Sequence, residues 1–245
     1  MGTESQAASG WPATDWIAQI FLEQNGGAAY DQWVAHQIPW TDPRIKTAWN
    51  MWGTIVNTPG YIPGGAAAVL ATNFQDASYW PFSSPPKTAM YYEGDFVQGF
   101  ITGQYKNLKA QTDYDYFPFP TINTQYQNAV TGGADLVVAF KDTPAVRSFI
   151  SYIASSQAQD IWVKRGGFIS VNKNISVSDY PDPIAQKSVQ QLLGASTFRF
   201  GAGDSMPSAM QSAWWAGVLQ YLQDPTKLDS ILTSLESTAN TTYGK

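Results

Sequence analysis

The apolar positions recur mostly at helical spacing. After Trp11-Pro12, the residues Trp16, Ile17, Ile20 and Phe21 form a stripe, with Thr14 placed as an N-cap, Asp15 in the first turn and Gly26-Gly27 as the stop. Ala28 to His36 reads as a second, short helix. Ile45, Trp49, Trp52 and Val56 fall on one face of a third, with Thr41 as its cap, Asp42 in its first turn and Pro43 where a missing N–H costs little. Ala66 to Gln75 predicts an alanine-rich helix, and Phe96 to Ile101 a short one. Thr143-Pro144 opens a helix to about Ala154, and Ser155 or Ser156 opens another that ends at Gly166-Gly167. Pro183–Leu193, Ala209–Leu222 and Leu228–Ala239 complete the helical set.

Between these the period changes. Thr88 to Tyr92 predicts a buried strand, framed by Pro85-Pro86 and Glu93-Gly94-Asp95. Tyr114 to Pro120 begins as a strand, and its prolines mark an exit or an edge. Leu136 to Phe140 is a continuous apolar run of the kind buried on both faces, introduced by Gly132-Gly133. Phe168 to Val171 is short and extended. Helices interleaved with a few apolar strands predict an α/β layered fold.

Composition narrows the chemistry. The 245 residues allow one large domain or two modest ones. Charged residues are 13% of the chain, about half the usual share. A net charge of -5 removes nucleic acid as a partner class, because phosphates need a basic face. With no cysteine, disulfides, thiolate metal sites and cysteine nucleophiles are excluded together. The single histidine, His36, reads as structural, so neither a histidine triad nor a multi-histidine metal centre is expected. No apolar run is long enough to span a bilayer, and Met1 to Gly10 lacks the basic start and apolar core of a signal peptide. Nucleophile-elbow, Walker A and dinucleotide motifs are absent; Gly201-Ala202-Gly203 lacks the third glycine of the last. No cofactor is implied.

Two kinds of candidate site remain. Glu93 and Asp95 are the carboxylate pair a glycoside hydrolase would need, although Asp95 serves equally well as a cap for the helix at Phe96. Gly133 and Asp135, in Gly132-Gly133-Ala134-Asp135, bring backbone close to a ligand or simply turn into the following strand. The aromatic share of 14%, including 10 Trp and 13 Tyr, suits carbohydrate, whose C–H faces stack on flat rings while its hydroxyls bond to polar edges. Of the adjacent pair Trp214-Trp215, one side chain can pack inward while the other faces a cleft.

An ordered set of segments resembles the family 1 extracellular solute-binding proteins of bacterial ABC sugar importers, in the branch for α-glucosides and other oligosaccharides. It runs through Gly10-Trp11-Pro12, Ile38-Pro39-Trp40-Thr41-Asp42-Pro43, Lys87 to Phe96, Phe117-Pro118-Phe119-Pro120 and Gly132 to Asp135. It continues through Phe140 to Pro144, Gly166 to Ser170, Tyr180 to Pro183, Thr197-Phe198-Arg199-Phe200 and Trp214-Trp215.

The resemblance implies a periplasmic-binding-protein-like α/β fold that binds a neutral oligosaccharide without catalysis, in the periplasm or at the cell surface, for the membrane subunits of an ABC importer. It covers mainly the C-terminal lobe, with the N-terminal lobe largely missing: 11–118 and 173–245 correspond to the C-terminal lobe, and 119–172 to a return segment of the other. Phe96 then takes the place of a stacking aromatic, flanked by Glu93 and Asp95 as hydroxyl acceptors. Trp215, or alternatively Trp214, supplies a second platform, Trp11 stands near the cleft entrance, Gly133 and Asp135 approach from the other side, and Arg199 is a donor. An orphaned 119–172 segment implies a homodimer that covers its apolar faces. A hydrolase using Glu93 and Asp95, or an interaction module without ligand, are the alternatives.

Overall fold

The computed structural model describes residues 1–244, in two compact units. The first comprises 1–97, 119–133 and 196–245, and the second 98–118 and 134–195. These units do not coincide with the 11–118/173–245 and 119–172 division implied by the resemblance: 98–118 and 173–195 go with 134–172, and 119–133 goes with the first unit.

The first unit is built on helix α1 (Trp11–Val34). It begins three residues before the expected cap: Gly10 precedes it, and the Thr14 hydroxyl donates to Trp11 O instead of capping. Gly26-Gly27 kinks the helix rather than ending it. Gly26 has φ 77°, and a Cβ there would lie 2.5 Å from the Tyr126 ring, so both conformation and space select glycine. Helix α2 (Pro43–Val56) takes Asp42, not Thr41, as its cap, through the Arg44 N–H. The expected alanine-rich helix divides into α3 (Gly65–Ala71) and α4 (Phe74–Ala77), the latter capped by Asn73. Toward the C-terminus come α9 (Ala202–Ser205), α10 (Ser208–Gln223) and α11 (Leu228–Tyr243).

The core of this unit is aromatic. Trp33, Trp40 and Trp214 are fully buried and meet edge to face, with centroids 5.0–5.4 Å apart, and Trp49 and Trp52 close on Tyr221. His36 is structural, as expected: it is buried, and its Nε2 lies 3.2 Å from Glu236, whose carboxylate also accepts from the Trp40 N–H.

Among the described residues the one named sheet is a parallel pair, β1 (Ala129–Gly132) beside β2 (Thr197–Phe200), with Ala129 opposite Thr197. The buried Gln19 amide serves the other edge of β1: its Nε2 donates to Ala129 O and its Oε1 accepts from the Thr131 N–H, as a neighbouring strand would. The expected strands at Thr88–Tyr92, Tyr114–Pro120, Leu136–Phe140 and Phe168–Val171 do not form. An extended segment becomes a strand only where another backbone lies beside it, and these have no such partner in a sheet.

The second unit holds α5 (Val97–Gln104), which starts one residue later than expected, with α6 (Pro144–Ile153), α7 (Ser156–Arg165) and α8 (Pro183–Leu193). Thr143, Ser155 and Asp182 cap the last three. Its core is small: Val163, Ile175, Tyr180 and Val189 are buried, backed by Phe168 and Ile169. Leu136 and Phe140 are 78% and 95% exposed, and Val137, Val138, Phe149, Ile161 and Trp162 are exposed as well.

Candidate functional site

The first turns of α1 hold the centre of the site. Gly10 sets their position: a Cβ there would lie 2.6 Å from Trp215 O, so the start of α1 rests on the backbone of α10. Trp11 and Asp15, one turn apart, share a face of the helix. The Trp11 ring meets Phe74 at 5.1 Å and Phe96 at 6.1 Å. Trp16 meets Tyr92 at 4.3 Å and Phe119 at 5.8 Å, and Tyr92 and Phe119 are 5.3 Å apart. The Trp16 indole N–H is buried with no acceptor among the described residues.

Carboxylates gather beside these rings. An added Cβ on Gly201 would lie 3.1 Å from Asp204 Oδ2 and 3.9 Å from Asp15 Oδ1, so the two side chains converge over that glycine. Asp204 also accepts from Gln211 Nε2 at 3.0 Å and stands over Gly133, 4.0 Å from where a Cβ would be. Burial, then the neighbouring Asp204, push the Asp15 carboxyl up to about 7. Burial and then Asp15 raise Glu93 well above the usual carboxylate range, against the pull of its hydrogen bond from the Gly94 N–H. The Tyr92 phenol is raised as well, by burial and by the same two acids. Among the described residues no cluster of acidic and histidine side chains is arranged to hold a metal ion.

The expected site residues divide. Trp11, Glu93 and Phe96 join the Asp15 cluster; Phe96 is 47% exposed. Asp95 is exposed next to them and accepts from the Phe96 N–H, while the helix itself begins at Val97. Gly133 lies at Asp204, whereas Asp135 belongs to the second unit. Trp215 is half-buried at the start of α1.

Two expectations are corrected. Trp214 packs its whole ring between Trp33 and Trp40 and offers nothing to a ligand. Arg199 is held by Asp31, at 2.6 and 2.8 Å, near the far end of α1, and its guanidinium packs over Gly27. A fork already satisfied by a carboxylate is not a free donor.

Asp15, Trp16, Tyr92 and Asp204 were not singled out by sequence. Asp15 carries the ordinary signature of a first-turn acid, Trp16 that of a core stripe and Tyr92 that of a strand. Asp15 and Trp16 lie next to Trp11-Pro12, and Tyr92 lies within the Lys87 to Phe96 segment of the resemblance, but no signal in the sequence marks Asp204.

No family model matches the chain. It is 34% identical over 223 residues to the osmoprotective compounds-binding protein of Synechocystis sp., covering 91% of this chain and 52% of that protein. To the alpha-glucosides-binding periplasmic protein of Rhizobium meliloti it is 33% identical over 230 residues, covering 94% and 50%. The chain thus spans about half the length of these curated relatives.

Among solved structures, the bacterial solute receptor AcbH, with its stated preference for β-D-galactopyranose, superposes with a TM-score of 0.76 at 22% identity, covering 96% of this chain and 59% of the receptor. A chitin oligosaccharide binding protein gives 0.77 at 16%, covering 100% and 60%. At these identities the structures establish the fold, that of a solute receptor, and the curated relatives are binding proteins rather than enzymes. In its fold and in its curated relatives the chain is similar to extracellular solute-binding proteins, and it spans about half the length of those relatives.

Proposed function

We propose that the chain binds a neutral carbohydrate, without catalysis, at the face formed by Trp11, Phe96 and Trp215 with Asp15, Glu93 and Asp204. The observation that carries this reading is the convergence of half-exposed aromatic rings with carboxyls that no Lys or Arg neutralises among the described residues. Rings cover the C–H faces of a sugar, and the carboxyls bond to its hydroxyls. The relative named for alpha-glucosides supports a carbohydrate ligand. The same kinship supports delivery to the membrane subunits of an ABC importer, in the periplasm or at the cell surface. No helix among the described residues is long and apolar enough to cross a membrane. Gly133 approaches the site beside Asp204, and the lobe assignment of 11–118, 119–172 and 173–245 is part of this proposal.

Isothermal titration with maltose and trehalose tests it. Side chains that stay half in water give up little desolvation energy, so dissociation constants of about 0.1–1 mM are expected, equivalent to about 4–5.5 kcal/mol. Affinity should be almost independent of salt at fixed pH, tryptophan fluorescence should change on binding, and Trp11→Ala should weaken binding at least tenfold. A steep salt dependence would point instead to a charged ligand. Release of reducing ends that vanished in Glu93→Gln would replace the binding reading with the hydrolase.

The proposal extends to a homodimer through 119–172. Leaving Leu136, Phe140 and Phe149 in water forfeits roughly 1.5–3 kcal/mol for each large side chain, and a second copy presents the same apolar surface for mutual cover. Light scattering after size exclusion at tens of micromolar is expected to give a dimer, and the double variant Leu136→Asp, Phe140→Asp a monomer. A clean wild-type monomer that binds no hydrophobic dye would refute it.

A further inference from the structure

Asp15 and Asp204 converge over Gly201, and Glu93 follows Tyr92, whose ring packs on Trp16, the residue after Asp15 in α1. The titratable and charged groups facing Asp15 are Asp204 from α9, Tyr92 and Glu93 from the extended segment, and Tyr30 from α1 itself. Asp95 lies exposed beyond Glu93. Among the described residues no Lys or Arg forms an ion pair with Asp15, Glu93 or Asp204. Arg199, the arginine expected in the site, is committed to Asp31. Like charges this close, in half-buried surroundings, do not all ionise together.

A sugar laid on the rings would exclude the remaining water from these carboxyls and disfavour their charged forms further. A protonated carboxyl also donates to a hydroxyl or ring oxygen, which an ionised one cannot do. We propose that the site takes up a proton with its ligand: Asp15, within the Asp15–Glu93–Asp204 group, is protonated in the complex, so that affinity is greatest in mild acid and falls as the pH rises above neutrality. The inference rests on the sugar-binding reading of this face. Its sign follows from linkage. The carboxyl in the free site titrates near 7 and in the complex at a higher pH. Below 7 the site is already protonated and affinity is flat. Above 7 the ligand must draw a proton from solvent, and affinity drops by up to about tenfold per pH unit.

Calorimetric titration of maltose and trehalose from pH 5.5 to 8.5, in buffers of different ionisation enthalpy, tests this. The expected result is a dissociation constant rising about tenfold between pH 7 and 8.5, with net proton uptake, and a flattened profile in Asp15→Asn whatever that variant's affinity. Carbon-13 spectra of the aspartate carboxyls in the unliganded protein give a second reading: one resonance should titrate near 7 and be missing in Asp15→Asn. Sugar binding that is flat with pH and independent of buffer would overturn the proton proposal and leave the sugar site standing, as would an Asp15 carboxyl titrating below 5. Absence of binding to either sugar at every pH would refute the site itself, and the proposal with it.

Discussion

Trp214→Ala is expected to destabilise the first unit by about 3–5 kcal/mol, while Trp215→Ala changes stability by less than about 1.5 kcal/mol and weakens sugar binding instead. The indole of Trp214 is fully enclosed and closes a three-ring cluster with Trp33 and Trp40. Removing it leaves a cavity that the surrounding helices α1 and α10 are too tightly packed to fill, which is the most costly class of core substitution. Trp215 is the next residue but only half-buried, so its loss removes little packing. Urea titration followed by circular dichroism separates the two, with the midpoint shifting strongly in Trp214→Ala alone. Equal, small shifts in both variants would mean that the three-tryptophan core is wrongly described.

Gly10→Val should be the second severe change, at about 2–6 kcal/mol, and should also impair the site. Gly10 has φ 108°, a conformation in which an L side chain is strained by about 1–3 kcal/mol. Its Cβ would meet Trp215 O at 2.6 Å and Trp215 Cα at 3.0 Å. Both are backbone atoms within α10, which cannot swing aside as a side-chain tip does, so a further cost of about 1–3 kcal/mol is expected. The relief available is to lift the first turn of α1 away from α10. That turn carries Trp11 and Asp15, so any surviving folded protein should bind sugar poorly. Gly60→Ala is the control for a side chain added at a positive-φ glycine with open space around it, since φ is 87° there and nothing lies within 4 Å of the new Cβ. It should lose only the conformational part. Similar losses in Gly10→Val and Gly60→Ala would show that the contact with α10 is unimportant.

The helices were largely legible because their signals are local. Pro183–Leu193 formed with the expected bounds, and Thr143 and Ser155 cap where their spacing placed them. The misplaced caps, Asp42 for Thr41 by one residue and Gly10 for Thr14 by four, moved a helix end without moving the apolar face. The strands failed for a physical reason of the opposite kind. Thr88–Tyr92 and Leu136–Phe140 have strand composition, but pairing belongs to two segments at once, and no pattern within one of them shows whether a partner lies alongside. The pair that does form, Ala129–Gly132 with Thr197–Phe200, joins segments far apart in the chain and leaves no local mark of its register.

The same division holds at the site. Sequence by itself determined the class of chemistry: few charges, many flat rings, one structural histidine, no cysteine, and an order of segments shared with sugar-binding proteins. It also placed Trp11, Glu93 and Phe96 among the candidates. Only the tertiary structure decided which tryptophan of Trp214-Trp215 is core, that Arg199 is occupied by Asp31, and that Asp15 has both Asp204 and Glu93 as neighbours. Helix propensity and composition are sums over neighbours in the chain and can be read along it. The protonation and exposure of a side chain depend on neighbours in space, and those exist only once α1, α9 and the segment before α5 have been brought together.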